Sequence, residues 1–349
     1  MPGFESLINQ ERPIRILTTL LKNRTLPHAF LFTGTEGVGK KAAAIALAMA
    51  CNCQDENYGL EAEDLSKHDP GSSTVKSDLT ALGSCGVCKS CRKIESGNHA
   101  DIIRIQPSGS FIKIAQIRAL AHTLAMRPYE AKTRVVVISA AQALNAAASN
   151  ALLKILEEPP SRTMLVLIAT HKSALLPTIV SRCQLIGFNP ISQKNMAVLL
   201  REKHELAPQA AGILAAMANG SYSRAQTMLR SNWLKRRKWL IDEINTLSVK
   251  KMGGLLALAE KLSAEREELS QTLEVIKVWF RDLIIGQYDP EKIINQDVAD
   301  KIRIASEKVS VSSLLSKVDA VQQAQNRITA NTNLRLSMEN LLIKLAQKT

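Results

Sequence analysis

Short apolar runs alternate with helical patterns over the first two hundred residues. The runs are rich in β-branched and aromatic residues, which predicts buried strands. The segments between them place apolar residues three or four positions apart, which predicts helices. Such alternation is typical of a parallel sheet flanked by helices. The five predicted strands are Ala29–Thr33, Asp101–Gln106, Arg134–Ser139, Met164–Ala169 and Gln184–Phe188.

The pattern changes beyond Asn189-Pro190, where the strand signals end and the helical signals continue to the C-terminus. A small helical unit is predicted over about 191–230, and further helices with apolar stripes follow it. The segment 54–84 has a mixed polar composition with Gly, Ser and Pro, and we expect it to be a flexible insertion in the first domain. The chain of 349 residues is therefore expected to form an α/β domain followed by helical domains.

Residues 34–41 read Gly-Thr-Glu-Gly-Val-Gly-Lys-Lys and match the phosphate-binding pattern G-x-x-x-x-G-K-[ST] except at its last position. A predicted strand leads in and an Ala-rich helix, Ala42–Ala50, leads out, which is the context that the motif requires. Lys41 replaces the hydroxyl that holds Mg²⁺, so no Mg²⁺ site is expected, and ATP binding is left open. The residues that would contact phosphate are Gly34, Gly37, Gly39 and Lys40.

ATP hydrolysis also needs an acidic pair at the end of a neighbouring strand, to hold the hydrated metal and polarise water. The best candidate strand, Arg134–Ile138, runs into Ser-Ala-Ala-Gln at 139–142, where there is no carboxylate. Two independent features of a hydrolytic site are therefore missing. We expect this chain to have no ATPase activity of its own.

Six cysteines include three with C-x-x-C-x-x-C spacing, Cys85, Cys88 and Cys91. Thiolates at this spacing can converge on one ion, and tetrahedral Zn²⁺ needs a fourth ligand, which Cys53 or Cys51 can supply. The acidic insertion would then loop out between the ligands. An iron–sulfur cluster is the main alternative, because similar runs also hold clusters. We favour structural zinc.

The formal net charge of +13 favours a polyanionic partner such as nucleic acid. The insertion 54–84 opposes this trend with seven acidic residues against two lysines, which leaves the rest of the chain near +18. No apolar stretch approaches the ~18 residues of a membrane span, and the N-terminus has no apolar signal region. We expect a cytoplasmic protein without membrane contact.

In their order along the chain, these motifs resemble those of the delta-prime subunits of bacterial DNA polymerase III clamp loaders, which are AAA+ proteins. The resemblance spans essentially the whole chain, and its Asn-Ala-Leu-Leu-Lys and Ser-Arg-Cys segments are the most specific. Besides the phosphate loop and the cysteines, the segments that carry it are 26–32, 96–101, 149–160, 181–183 and 331–339.

The resemblance implies an AAA+ module over 1–190 with a zinc knuckle at 53–91, a helical lid over 191–235 and an all-α collar for oligomerisation over 236–349. It aligns Cys53, rather than Cys51, with the first zinc ligand of the family. It also implies a hetero-pentamer with motor and delta subunits. Such an assembly opens a sliding clamp and places it on primed DNA.

In this family the delta-prime subunit does not hydrolyse ATP, and it acts as a rigid stator. It offers the arginine of its Ser-Arg-Cys motif to ATP bound on the neighbouring motor subunit, and that arginine corresponds to Arg182. Taken alone, Arg182 would be interpreted as a surface charge. An arginine finger stabilises charge on the transferring phosphate and contributes roughly 10³–10⁵ in rate.

Two other functions compete with this one. A motor subunit of the same assembly should keep Ser or Thr at position 41 and carboxylates near 139–142, and this chain has neither. An independent zinc-dependent DNA-binding protein would need basic or aromatic residues beside the knuckle, where only Lys89, Arg92 and Lys93 are present. A basic run at 235–238 is interpreted as a solvated helix face or a subunit contact, and a DNA contact is the less favoured alternative.

Overall fold

The computed structural model describes residues 3–55, 83–330 and 332–347. The predicted insertion at 54–84 therefore lies mostly outside the described residues. The chain divides into two compact units, and each is described by itself. The first comprises Met1–Asn195 with Asn219–Ser223, and the second comprises Met196–Ala218 with Arg224–Thr349.

The first unit contains a five-stranded parallel sheet of order β2-β3-β4-β1-β5. All five predicted strands are confirmed, with ends that differ from the prediction by at most one residue. Buried parallel strands form nearly continuous apolar runs, which is why the sequence pattern located them well. The strands are β1 (Ala29–Thr33), β2 (Ile102–Ile105), β3 (Arg134–Ile138), β4 (Thr163–Ile168) and β5 (Gln184–Gly187).

Helices cover both faces of this sheet. Alternate residues of β1 point to opposite faces, so Phe30 and Phe32 join the core formed with α1, α2 and α3, whereas Leu31 joins the core formed with α4, α5 and α6. The predicted α/β architecture is thereby confirmed. The helices are α1 (Glu11–Lys22), α2 (Lys40–Asn52), α3 (Lys89–Ser96), α4 (Ile114–Ala125), α5 (Ala146–Glu157) and α6 (Pro177–Val180).

The remainder of the described chain is helical, as the pattern beyond 190 predicted. In the second unit α12 packs against α10, α13 and α14, and α11 packs against α15. Among the described residues, no helix is both long and apolar enough to cross a membrane. The helices are α7 (Gln193–His204), α8 (Pro208–Met217), α9 (Tyr222–Arg230), α10 (Trp233–Asn245), α11 (Met252–Ala264), α12 (Arg266–Gly286), α13 (Ala299–Ser306), α14 (Val311–Thr329) and α15 (Leu334–Ala346).

The basic run at 235–238 is not simply a solvated helix face. Arg237 is only 1% exposed, and its guanidinium donates to Asn295 Oδ1 at 2.6 and 2.8 Å and to the Asp297 carboxylate at 2.7 and 3.0 Å. Arg236 pairs with two glutamates at the start of α12. A buried charge must be paired to be tolerated, so Arg237 depends on Asn295 and Asp297 as its partners.

Candidate functional site

The phosphate loop lies between the end of β1 and the start of α2, as predicted, and it is closely packed. Gly34 and Gly37 have φ values of 139° and 77°, which side chains rarely allow. A Cβ at Gly34 would collide with the carbonyl oxygen of Phe188, and one at Gly37 would collide with the hydroxyl of Ser223. The glycines therefore let neighbouring segments approach the loop from two sides.

Lys40 points into the loop itself. The residue is 6% exposed, and its Nζ donates to the carbonyl oxygen of Gly34 and, at 2.7 Å, to that of Thr35. Burial lowers the pKa of Lys40 to about 8, although the carboxylate of Glu36 acts in the opposite direction. The ammonium that would contact a phosphate is thus directed at the carbonyl groups of its own loop.

Residues 219–223 lie against this loop, a contact that the sequence did not reveal. The backbone N–H of Tyr222 donates to the carbonyl of Gly37 at 3.0 Å, and the hydroxyls of Ser221 and Ser223 lie beside the same glycine. The Asn-Gly-Ser at 219–221 signals a break between helices. Such a signal says nothing about the segment on which the turn packs.

Gln10 is a second residue that sequence reasoning missed. Its buried side-chain amide donates to the carbonyl of Asn189 at 2.7 Å and to that of Val38 at 3.4 Å, and it accepts from the Asn189 N–H at 3.1 Å. It therefore ties the loop to the chain that follows β5. No local pattern identifies it, because its partners are far away in sequence.

The end of the neighbouring strand has no carboxylate that could hold a metal. β3 ends at Ile138, and the N–H of Ser139 donates to the Ile105 carbonyl at 2.9 Å. Ala140 then adopts φ 52° and leads into the short turn Ala141–Ala143. Lys41 is exposed on the first turn of α2. Position 41 has no hydroxyl and the segment 139–142 has no carboxylate, and these are the groups with which a P-loop ATPase holds Mg²⁺.

The structure brings together Cys53, Cys85, Cys88 and Cys91, whose sulfurs all lie within 4.8 Å of one another. Backbone N–H groups point at these sulfurs, from Cys85 to Cys53 at 3.4 Å, from Cys88 to Cys85 at 3.3 Å and from Cys91 to Cys88 at 3.4 Å. Four thiolates around one zinc at ~2.3 Å would have sulfurs about 3.8 Å apart, so the cluster is close to the required size.

The thiols of this region differ in acidity. Burial alone would raise the pKa of Cys88, but the N–H groups of Gln54 and Cys91 and the neighbouring thiols lower it to about 7. Burial raises the pKa of Cys53 and Cys91. Cys51 lies outside the four-sulfur group, inside α2, and its burial raises its pKa to about 12. Of the two alternatives for the fourth ligand, the geometry favours Cys53.

The knuckle is attached firmly to the edge of the sheet at β2. Lys132 Nζ donates to the Cys53 carbonyl at 2.9 Å, and Arg104 Nη2 donates to the carbonyl of Ile94 near the end of α3 at 2.9 Å. Beside it, Asp101 and Arg134 form a buried ion pair at 3.2 Å. Burial opposes ionisation of Asp101, but three backbone N–H groups and Arg134 lower its pKa overall.

Arg182 lies at the surface, just after α6 and before the edge strand β5. Its side chain is 37% exposed, its Nη2 is 2.8 Å from Oε1 of Glu157, and its Nη1 donates to the carbonyl of Thr178 at 3.0 Å. The next residue, Cys183, packs on the core under α4 and α5, and burial raises its pKa to about 11. The Ser-Arg-Cys turn is thus anchored by the cysteine and exposes the arginine.

The sheet order, the glycine loop between β1 and α2 and the helical C-terminal part define a P-loop protein with an AAA+ module. A family model described as "DNA polymerase III, delta subunit" matches residues 9–192, and one described as "DNA polymerase III, delta subunit, C terminal" matches residues 231–347. The chain belongs to this DNA polymerase III delta subunit family.

Similarity to individual relatives sharpens this assignment. The chain is 30% identical to DNA polymerase III subunit delta' of Bacillus subtilis (strain 168), covering 97% of this chain and 96% of the relative. It is 28% identical to the delta' subunit of Pseudomonas aeruginosa (strain PAO1), covering 91% of this chain and 92% of the relative. It is 24% identical to the Bacillus subtilis tau subunit, covering 99% of this chain but 61% of tau. The similarity to delta-prime subunits therefore extends over both full lengths.

Proposed function

We propose that this chain, as a delta-prime subunit, is the non-hydrolysing stator of a bacterial DNA polymerase III clamp loader. It donates Arg182 to ATP that is bound on a neighbouring motor subunit. Its partners are the motor and delta subunits of a hetero-pentamer, with the sliding clamp and primed DNA engaged through the assembly. Similarity to both the delta-prime and the tau subunits of one bacterium supports membership in such a multisubunit assembly.

The absence of hydrolysis by this chain is supported by the phosphate loop. Lys41 and the segment 139–142 lack the hydroxyl and the carboxylates that a Mg²⁺–ATP site uses. Lys40 is bonded to carbonyl groups within the loop. A nucleotide that entered this loop would find no metal-binding group positioned for hydrolysis.

One observation supports the proposal that Arg182 acts on a neighbouring subunit. Its side chain is 37% exposed at the surface, while two contacts hold its guanidinium in place. A guanidinium has five N–H groups, and these contacts use two of them. The others can approach a phosphate on another chain. Planar guanidinium groups bind phosphate oxygens in bidentate fashion and remain charged at any working pH.

The test is ATP turnover by a loader reconstituted from its cognate motor and delta subunits, the clamp, primed DNA and this chain. We expect Arg182→Ala to lower the turnover by about 10³-fold, the lower end of the range for arginine fingers. Arg12→Ala, which removes an exposed arginine of α1, is the matched control and should leave it unchanged. Undiminished turnover with Arg182→Ala would refute the proposal.

We also propose that Cys53, Cys85, Cys88 and Cys91 hold a structural zinc ion. The convergence of the four sulfurs supports a single ion, because all four must then surround one point. In a four-iron cluster each cysteine binds a different iron, which requires a wider arrangement. When bound, zinc cross-links the end of α2 to α3 and so stabilises the knuckle.

Metal content measured by atomic absorption tests the zinc proposal. We expect about one zinc per wild-type chain, loss of most of it in Cys53→Ser, and full retention in Cys51→Ser. Cys51→Ser is the matched control, because it removes a buried thiol only two residues away, in the last turn of α2. Zinc loss in Cys51→Ser with retention in Cys53→Ser would show that Cys51 is the fourth ligand. Iron in place of zinc in the purified protein would refute the zinc proposal in favour of an iron–sulfur cluster.

The three-domain division is likewise proposed, with an AAA+ module over 1–190, a lid over 191–235 and a collar over 236–349. The family matches support it, since the first ends at 192 and the C-terminal match begins at 231. Residues 219–223 belong by their contacts to the first compact unit. The proposed lid boundary therefore differs from the boundary of the compact units at this segment.

A further inference from the structure

Arg182 is held by a carboxylate from another helix. Glu157 is the last residue of α5, and its Oε1 is 2.8 Å from Nη2 of Arg182. The carbonyl of Thr178 in α6 accepts a hydrogen bond from Nη1 at 3.0 Å. α5 packs against α6, so the two acceptors belong to elements whose relative position is fixed. Two contacts at different nitrogens fix the plane of the guanidinium.

The strength of this arrangement suits an arginine that must engage another chain. The side chains of Arg182 and Glu157 are 37% and 50% exposed, so their attraction is screened by water and is modest. An arginine without such contacts samples many rotamers and loses that freedom when it binds a phosphate. Contacts made in advance reduce this loss, and they leave N–H groups for the phosphate.

We infer that Glu157 is a positioning residue, which orients Arg182 towards the ATP of the neighbouring subunit. The inference rests on the proposed function of Arg182. Glu157 acts through the arginine and touches neither ATP nor water in the reaction. The adjacent Glu158 is also exposed, but the carboxylate paired with Arg182 is that of Glu157. Among these two neighbouring acids, the geometry therefore selects Glu157.

The test compares Glu157→Ala, Glu157→Asp and the control Glu158→Ala in the reconstituted loader. We expect Glu157→Ala to lower kcat for ATP turnover about two- to fivefold, the scale of an exposed ion pair, with KM for ATP within about twofold of wild type. Glu157→Asp should restore part of the rate, and Glu158→Ala should match wild type. If Glu157→Ala melts early, Glu157→Gln, which keeps the shape of the side chain, replaces it.

A double variant separates positioning from a structural role. If Glu157 acts through Arg182, then Arg182→Ala combined with Glu157→Ala should turn over ATP at the rate of Arg182→Ala alone. A further loss in the double variant, or a Glu157→Ala loader as fast as or faster than wild type, would overturn the inference. If Arg182→Ala itself has no effect, the proposed function fails, and that result is distinguishable from failure of the inference alone.

Discussion

The phosphate loop and the Ser-Arg-Cys turn each carry one prominent cation, and the two cations are used in opposite ways. Lys40 is almost fully buried and donates to carbonyl groups of its own loop. Arg182 is more than a third exposed and is held by a carboxylate and a carbonyl at the surface. The loop keeps the backbone form of a nucleotide site, whereas the turn presents a charge outward.

This difference teaches that the glycines of a phosphate-binding motif can also serve packing within their own chain. The glycines of the loop admit Phe188 on one side and Ser221 and Ser223 on the other. The loop thereby joins the chain after β5 and the segment 219–223 to the sheet. These contacts support the proposed role of this chain as a stator, which would hold an arginine in place while a neighbouring subunit hydrolyses ATP.

The largest expected effect on stability is that of Arg237→Ala, and we compare it with the effect of Arg182→Ala. Arg237→Ala leaves Asp297 and Asn295 without their buried partner and should lower the free energy of unfolding by about 3–5 kcal/mol. Arg182→Ala removes an exposed pair and should lower it by about 1 kcal/mol or less. Urea unfolding followed by tryptophan fluorescence measures the effect of Arg237→Ala, because all three tryptophans, at 233, 239 and 279, belong to the second unit. Arg182 belongs to the first unit, so the effect of Arg182→Ala is measured by circular dichroism, which reports the helices of both units.

The loss of unfolding free energy caused by Arg237→Ala should also depend on pH. Burial opposes ionisation of Asp297, but the Arg237 guanidinium lowers the pKa of that carboxyl overall. A carboxyl with a lowered pKa in the folded state contributes stability above its ordinary pKa of about 3.9, and this contribution is lost as pH falls through the lower value. The difference between wild type and variant should therefore shrink below about pH 4. Lys235→Ala, which removes an exposed lysine of the same helix, is the control, and an equal loss there would refute the contrast.

Prediction from sequence succeeded where the signal is local. The five strands are apolar runs bounded by turn residues, so their positions follow from composition and periodicity. The spacing at Cys85, Cys88 and Cys91 brings three sulfurs together within one short turn and helix. The glycine loop is recognisable because strand, glycines and helix follow one another directly. The binding of zinc and the role of Arg182 stay predictions.

Prediction failed where partners are distant in sequence. Gln10 bonds to Asn189, and Arg237 bonds to Asn295 and Asp297, across long separations that no window of local pattern spans. A run of four basic residues resembles a solvated face, because its composition does not reveal which member is buried. The contact of Glu157 with Arg182 was missed for the same reason, since it depends on how α5 and α6 pack.

The contrast between the two cations is tested most directly by ATP turnover of loaders that contain Lys40→Met beside loaders that contain Arg182→Ala. Methionine keeps the length of the lysine without its charge, and melting curves confirm that each variant is folded. We predict that Lys40→Met changes turnover by at most about twofold and that Arg182→Ala lowers it by about 10³-fold. A large loss with Lys40→Met and none with Arg182→Ala would contradict the account and identify the chain as a motor subunit.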